Sequence, residues 1–122
     1  MNGVQPASEV ILYHGDSATT TVAVFDSGSL YTVFSPMYAE LIGIEDVTVG
    51  ERVGINTLAG PRDIYLFDLE IQLREVGHRF AAQIGFFRGP AARNILGRSV
   101  VFAAFEVGFH ESAQLIHLRP ED

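Results

Sequence analysis

Between Tyr65 and Leu73 the chain alternates strictly. Tyr65, Phe67, Leu69, Ile71 and Leu73 are apolar, and Asp68, Glu70, Gln72 and Arg74 fall between and after them. Successive side chains on a strand point to opposite faces, so this run buries one face and wets the other. Phe80, Ala82, Ile84 and Phe86 repeat the pattern, as do Phe105, Val107 and Phe109. Thr20, Val22 and Val24 alternate with Thr21, Ala23 and Phe25, which predicts a strand covered on both sides. Val10 and Leu12 near one end, and Leu115, Ile116 and Leu118 near the other, add further strands. Turn residues separate the runs at short intervals. His14-Gly15-Asp16-Ser17 lies between the first two strands, and Ala59-Gly60-Pro61 between a strand at Val53–Leu58 and the long alternating run. Gly77 divides Leu73 from Phe80, and Gly108 to Ser112 marks a last turn. The chain is predicted to be mostly β.

Two short helices interrupt that pattern. Ser35 is placed to cap a helix with Pro36 at its first position, Leu41 and Ile42 on the buried side, and Gly43 at its end. A second is expected from about Arg98 to Ala103. The 122 residues carry no repeat, no low-complexity tract and no proline- and serine-rich linker, so residues 1–122 read as one domain. Apolar residues make up 48% and charged residues 19%, a balance that sustains a core and excludes a disordered tail. Cysteine is absent, which rules out disulfides and thiolate metal sites. A net charge of −7 repels phosphate backbones and argues against nucleic acid as the partner. No apolar stretch approaches the ~20 residues that span a bilayer. The start, Met1-Asn2-Gly3-Val4-Gln5-Pro6, shows no basic region followed by an apolar block, so a cytoplasmic location is expected.

Chemistry concentrates where an apolar strand runs straight into polar residues, at Val22-Ala23-Val24-Phe25-Asp26-Ser27-Gly28-Ser29. An ionised carboxylate at the end of a buried strand must be hydrogen-bonded by its loop or put to use. Gly28 permits close backbone approach, and Ser27 and Ser29 supply hydroxyls that can brace the loop. Taken alone, D-S-G-S reads first as an Asx-turn. A second segment, Asn94-Ile95-Leu96-Gly97-Arg98, reads as a short buried strand that stops at glycine and leads into a helix.

Together, the early Asp26-Ser27-Gly28-Ser29 and the late Ile95-Leu96-Gly97-Arg98 resemble the retropepsin-like aspartic proteases. The order between them fits as well: a helical turn ending Leu41-Ile42-Gly43-Ile44, then a glycine-tipped hairpin. The likeness extends over roughly Val10 to Leu118. It implies a closed β-barrel of the acid-protease type with Asp26 as the catalytic aspartate. It also implies that Ser27 braces the two active-site loops of a dimer, and that Gly28 and Ser29 lie beside the substrate backbone. Leu58, Ala59 and Gly60 would form the flap tip over the substrate. Ile95, Leu96 and Gly97 would pack behind the active-site loop, with Arg98 following as in several retroviral members. The chain also departs from that pattern. Leu30 stands where several viral members have an acidic partner for the arginine, the flap tip is poorer in glycine and stiffened by Pro61, and the tail from Phe105 to Leu118 is longer.

One chain holds one Asp-Ser-Gly motif, whereas this chemistry uses two aspartates sharing a proton. The resemblance therefore implies a homodimer acting on a peptide or protein, an aspartic endopeptidase without cofactor or metal. A non-catalytic dimerisation or peptide-binding module on the same fold is the alternative. An unrelated small β-barrel whose D-S-G-S is only a turn is a third and predicts a monomer. Asp68 and Glu70 read as solvated strand positions, and His14, His78, His110 and His117 show no metal-ligand spacing. No G-x-S-x-G, G-x-x-x-x-G-K or G-x-G-x-x-G occurs.

Overall fold

The computed structural model describes residues 6–106. The expected strands around Val107, Phe109, Leu115, Ile116 and Leu118, and His110 and His117, lie outside the described residues. Strands β1 (Ala7–His14) and β2 (Ser17–Phe25) form a hairpin in register from Ala7↔Val24 to His14↔Ser17. Its turn uses Gly15 at φ 58°, a left-handed conformation that glycine adopts without strain. After β2 come a loop, the two-residue strand β3 (Val33–Phe34) and helix α1 (Pro36–Leu41). A single 3₁₀ turn (Val47–Val49) then leads into β4 (Glu51–Thr57), β5 (Gly60–Leu73), β6 (Arg79–Phe87) and β7 (Asn94–Leu96). A second helix, α2, starts at residue 98 and is helical through residue 106.

The strand order β1-β2-β7-β3-β6-β5 closes on itself because β5 also pairs with β1, giving a six-stranded barrel. Closure leaves β4 outside the ring, paired with β5 alone. The 14-residue β5 explains both features. Its second half lies in the barrel wall, where Val10↔Leu73 through Tyr13↔Glu70 join it to β1. Its first half projects with β4 as an arm, from Glu51↔Leu66 to Thr57↔Gly60. The alternation read from Tyr65 to Leu73 is present: Tyr65, Leu69, Ile71 and Leu73 enter the main core. Ile64 and Leu66, on the opposite face, join Val33 and Phe87 in a second apolar cluster. The strand thus separates two cores and is buried through Ile64, Tyr65 and Leu66.

Aromatic contacts fill the barrel interior. Phe86 lies 6.4 Å from Phe34 and 5.8 Å, edge to face, from Phe67, within the range where ring pairs add to simple burial.

Several expectations need correction. The strand Thr20 to Phe25 is not covered on both sides: Thr20 is exposed and Val22 is 57% exposed, because their face points away from the barrel. In α1, Ala39 and Ile42 take the buried side, and Leu41 faces solvent, since 100° per residue separates it from that face. Ser35 and Pro36 do open that helix, but the Ser35 hydroxyl makes no cap bond and is engaged with Ala91 instead. The strand expected at Val53–Leu58 occupies Glu51–Thr57, leaving Leu58 in the turn. Phe105 lies in α2 rather than in a strand: Val100 and Ala104, one turn apart, seat the helix, and Phe105 continues it on the exposed side.

The turn before β4 is held by Asp46, whose carboxylate accepts from the Thr48 hydroxyl at 2.6 Å and the Thr48 amide at 2.9 Å. These bonds, aided by the Arg88 charge, hold the Asp46 carboxyl below its ordinary value of 3.8. A lowered folded-state value means that the contribution is complete above the ordinary value and is lost as pH falls through the lower one. Asp46→Ala is therefore expected to reduce stability to denaturant at pH 7, and by less near pH 2. Urea melts of both forms at the two pH values check this.

Candidate functional site

Strand β7 lies between β2 and β3, parallel to β2 and antiparallel to β3. This insertion brings the two sequence motifs together. Ala23↔Asn94, Val24↔Ile95 and Phe25↔Leu96 are in register, and the Asp26 amide continues the ladder onto the Leu96 carbonyl at 3.0 Å. Asp26 is thereby fixed at the point where β2 leaves the sheet.

Beyond it the backbone turns sharply. The Gly28 amide donates to Asp26 Oδ1 at 2.9 Å, and the Ser29 amide to the Asp26 carbonyl at 3.1 Å. The Asx-turn is therefore present, and it leaves the other carboxylate oxygen without a bond among the described residues. Asp26 is half-buried, and Ser27 and Gly28 are exposed. A hydroxyl brace was expected of Ser27 and Ser29. Ser29 supplies one, donating to the Tyr31 carbonyl at 2.7 Å, whereas the Ser27 hydroxyl makes no bond among the described residues.

The far side of the loop is tied to the late motif. The Arg98 amide donates to the Ser29 carbonyl at 2.8 Å, and the Ser99 hydroxyl to the Leu30 carbonyl at 3.1 Å. The Gly97 amide donates to the buried Thr32 hydroxyl at 2.8 Å. Gly97 has to be glycine: a Cβ there would sit on the Tyr31 carbonyl and 2.9 Å from the Leu30 carbonyl oxygen. Leu96 is fully buried, Ile95 is half-buried, and the Arg98 side chain is exposed.

Two braces had no signal in the sequence. Thr32 is fully buried, and Asn94 is 6% exposed. Asn94 Oδ1 accepts from the Ser35 amide at 3.1 Å, and its Nδ2 donates to Thr21 Oγ1 and to the Val22 carbonyl. One side chain thus joins β2, β7 and the start of α1. The apolar–polar–apolar spacing around Thr32 resembles any strand edge, so only the pairing of β3 with β7 reveals its use.

The arm of β4 and β5 carries the residues read as a flap. Leu58 and Ala59 form its turn, Gly60 follows at φ 110°, and Leu58 is completely exposed. The Thr57 hydroxyl closes the turn by donating to the Gly60 carbonyl at 2.7 Å and accepting from the Ala59 amide. On one face of the arm Val53, Ile55, Ile64 and Leu66 cover the second apolar cluster, which includes Tyr31 and Val33 just after the Asp26 loop.

Among the described residues, no group of three or more histidines or carboxylates could hold a metal ion. His14 Nδ1 lies 2.9 Å from the Ile42 carbonyl oxygen, a structural tie for the imidazole. No helix of the described residues is long and apolar enough to cross a membrane. No protein-family model matches the chain, and no curated protein sequence matches it.

Gly97→Ala is expected to cost about 2 kcal/mol or more of stability, because the clash is with backbone and cannot be relieved by a rotamer change. Ala91→Gly, at a half-buried position of the mostly exposed 88–93 loop, is the contrast and should cost less than about 1 kcal/mol. Denaturant melts of the two variants give the comparison.

Proposed function

We propose that this chain is an aspartic endopeptidase of the retropepsin-like type, assembled as a homodimer with one site between two copies. The observation that carries the reading is the Asp26 carboxylate. It sits at the end of a barrel strand, with one oxygen held by the Gly28 amide and its loop pinned to Leu96, Arg98 and Ser99. A rigidly seated, half-buried carboxylate with one oxygen unbonded among the described residues suits general acid–base work. Alone it is incomplete. A second Asp26 at hydrogen-bonding distance makes a pair that cannot both ionise easily, so the two share one proton.

The ionised member takes a proton from water as the water oxygen bonds to the scissile carbonyl carbon. The protonated member gives its proton to the carbonyl oxygen. The resulting diol collapses as the Asp26 protonated by the water gives that proton to the amide nitrogen and the C–N bond breaks. The other Asp26 takes a proton from a diol hydroxyl as the carboxyl product forms, so the pair again holds one proton. The substrate lies extended beneath the arm of β4 and β5, held by backbone hydrogen bonds.

Exposed apolar side chains support the second copy. Leu30 beside the Asp26 loop is 52% exposed, and Phe102 and Phe105 on α2 are 66% and 74% exposed. The Leu30 carbonyl is bonded by Ser99, so the start of α2 and the Asp26 loop form one continuous edge of the chain. Exposed side chains of this size are available to bury against a second copy.

Asp26→Asn is expected to abolish cleavage of a diverse peptide library while leaving the dimer intact by light scattering. Cleavage retained by that variant would overturn the mechanism, and peptide binding by the unsubstituted chain without cut products would favour a non-catalytic module. Charged substitutions at both aromatic positions, Phe102→Asp with Phe105→Asp, are expected to give a folded monomer that cleaves nothing.

A further inference from the structure

Arg62 is a charged residue on the apolar face of the arm. It pairs across the hairpin with Ile55 and shares its face with Val53, Ile64 and Leu66, which cover the cluster of Val33 and Phe87. Its guanidinium lies 4.0 Å over the Phe87 ring, and Nη2 donates to the Gly89 carbonyl at 3.4 Å. The 88–93 loop that receives it is itself anchored, since the Ala91 amide and carbonyl both bond the Ser35 hydroxyl. A guanidinium with one face on a ring keeps the N–H groups of its edge available in a fixed plane. An open depression of about 340 Å³ adjoins it, lined by Gly54, Ile55, Asn56, Pro61, Arg62 and Asp63. Asp63, which also lines the depression, is paired with Arg52 at 3.4 Å, and its side chain leaves the strand on the face opposite Arg62.

We infer that Arg62 is a specificity-determining residue, reading a carboxylate side chain, Asp or Glu, at one position of a peptide bound beneath the arm. The inference rests on the arm being the peptide-binding wall, and it deepens the proposed function by naming a substrate class. A planar fork held this way bonds a carboxylate with two parallel N–H groups, which a neutral amide cannot match in charge.

The test is peptide binding, measured by fluorescence anisotropy on the full chain carrying Asp26→Asn so that peptide is not consumed. The probes are synthetic extended peptides that differ only in Glu, Gln or Lys at each position in turn. One position is expected to favour Glu over Gln by about tenfold. Arg62→Gln should remove that preference and keep the affinity for the Gln peptides, and Arg62→Glu should reverse it in favour of Lys. A uniform loss for all peptides in both variants would mean that Arg62 only ties the arm to the 88–93 loop, and would overturn the assignment. So would the absence of any charge-sensitive position, or of binding altogether. Cleavage by the unsubstituted chain is scored separately: acid-selective binding without cleavage overturns the endopeptidase and leaves the role of Arg62 standing.

Discussion

Everything at the site depends on two stretches of backbone lying closer than side chains permit. Gly97 sits beneath the Leu30 and Tyr31 carbonyls, and the missing Cβ is what lets the segment after β7 run against the loop after β2. Five donors use that closeness: the Asp26 amide on Leu96, the Gly97 amide on Thr32, the Arg98 amide on Ser29, and the amide and hydroxyl of Ser99 on Leu30. Short loops with exposed tips ordinarily move freely. This one is bound on both flanks, so the Asp26 carboxylate inherits the rigidity of the barrel wall.

The barrel supports that arrangement through the length of β5. A strand that only closed the ring would need its second half alone. Its extension beyond Leu66 builds the arm, and the change of face at Ile64–Leu66 gives the arm a core of its own against Val33 and Phe87. The arm is therefore attached by packing as well as by its ladder to β6, and Arg62 adds a polar tie at Gly89. The loop bearing Asp26 and the root of the arm meet at Tyr31–Val33.

Much of this was legible in the sequence where local rules governed. The alternation from Tyr65 to Leu73, the glycine turns at Gly15 and Gly77, and Pro36 opening α1 all reflect preferences of single residues or short spacings, and the structure has them in place. The adjacency of the two motifs followed from resemblance, not from periodicity. What escaped reading depends on tertiary neighbours. Arg62 and Asp63 have little intrinsic preference for a strand, yet pairing with β4 extends β5 to Gly60. Val22 and Leu41 are as apolar as core residues and face outward, because exposure is decided by what lies across from a side chain. Asn94 and Thr32 became visible only once β7 was found between β2 and β3.

The central claim is that one catalytic centre needs the Asp26 of two chains. Subunit mixing tests it most directly: the unsubstituted chain and Asp26→Asn are unfolded together, refolded in equal amounts, and assayed for peptide cleavage. If each site takes one carboxylate from each copy, random pairing leaves about a quarter of the sites intact, so the mixture shows about half the activity of the same amount of unsubstituted chain refolded alone. Activity unchanged by the added variant, in a mixture whose dimers are shown to have exchanged, would mean that each chain carries a complete site and would contradict the account.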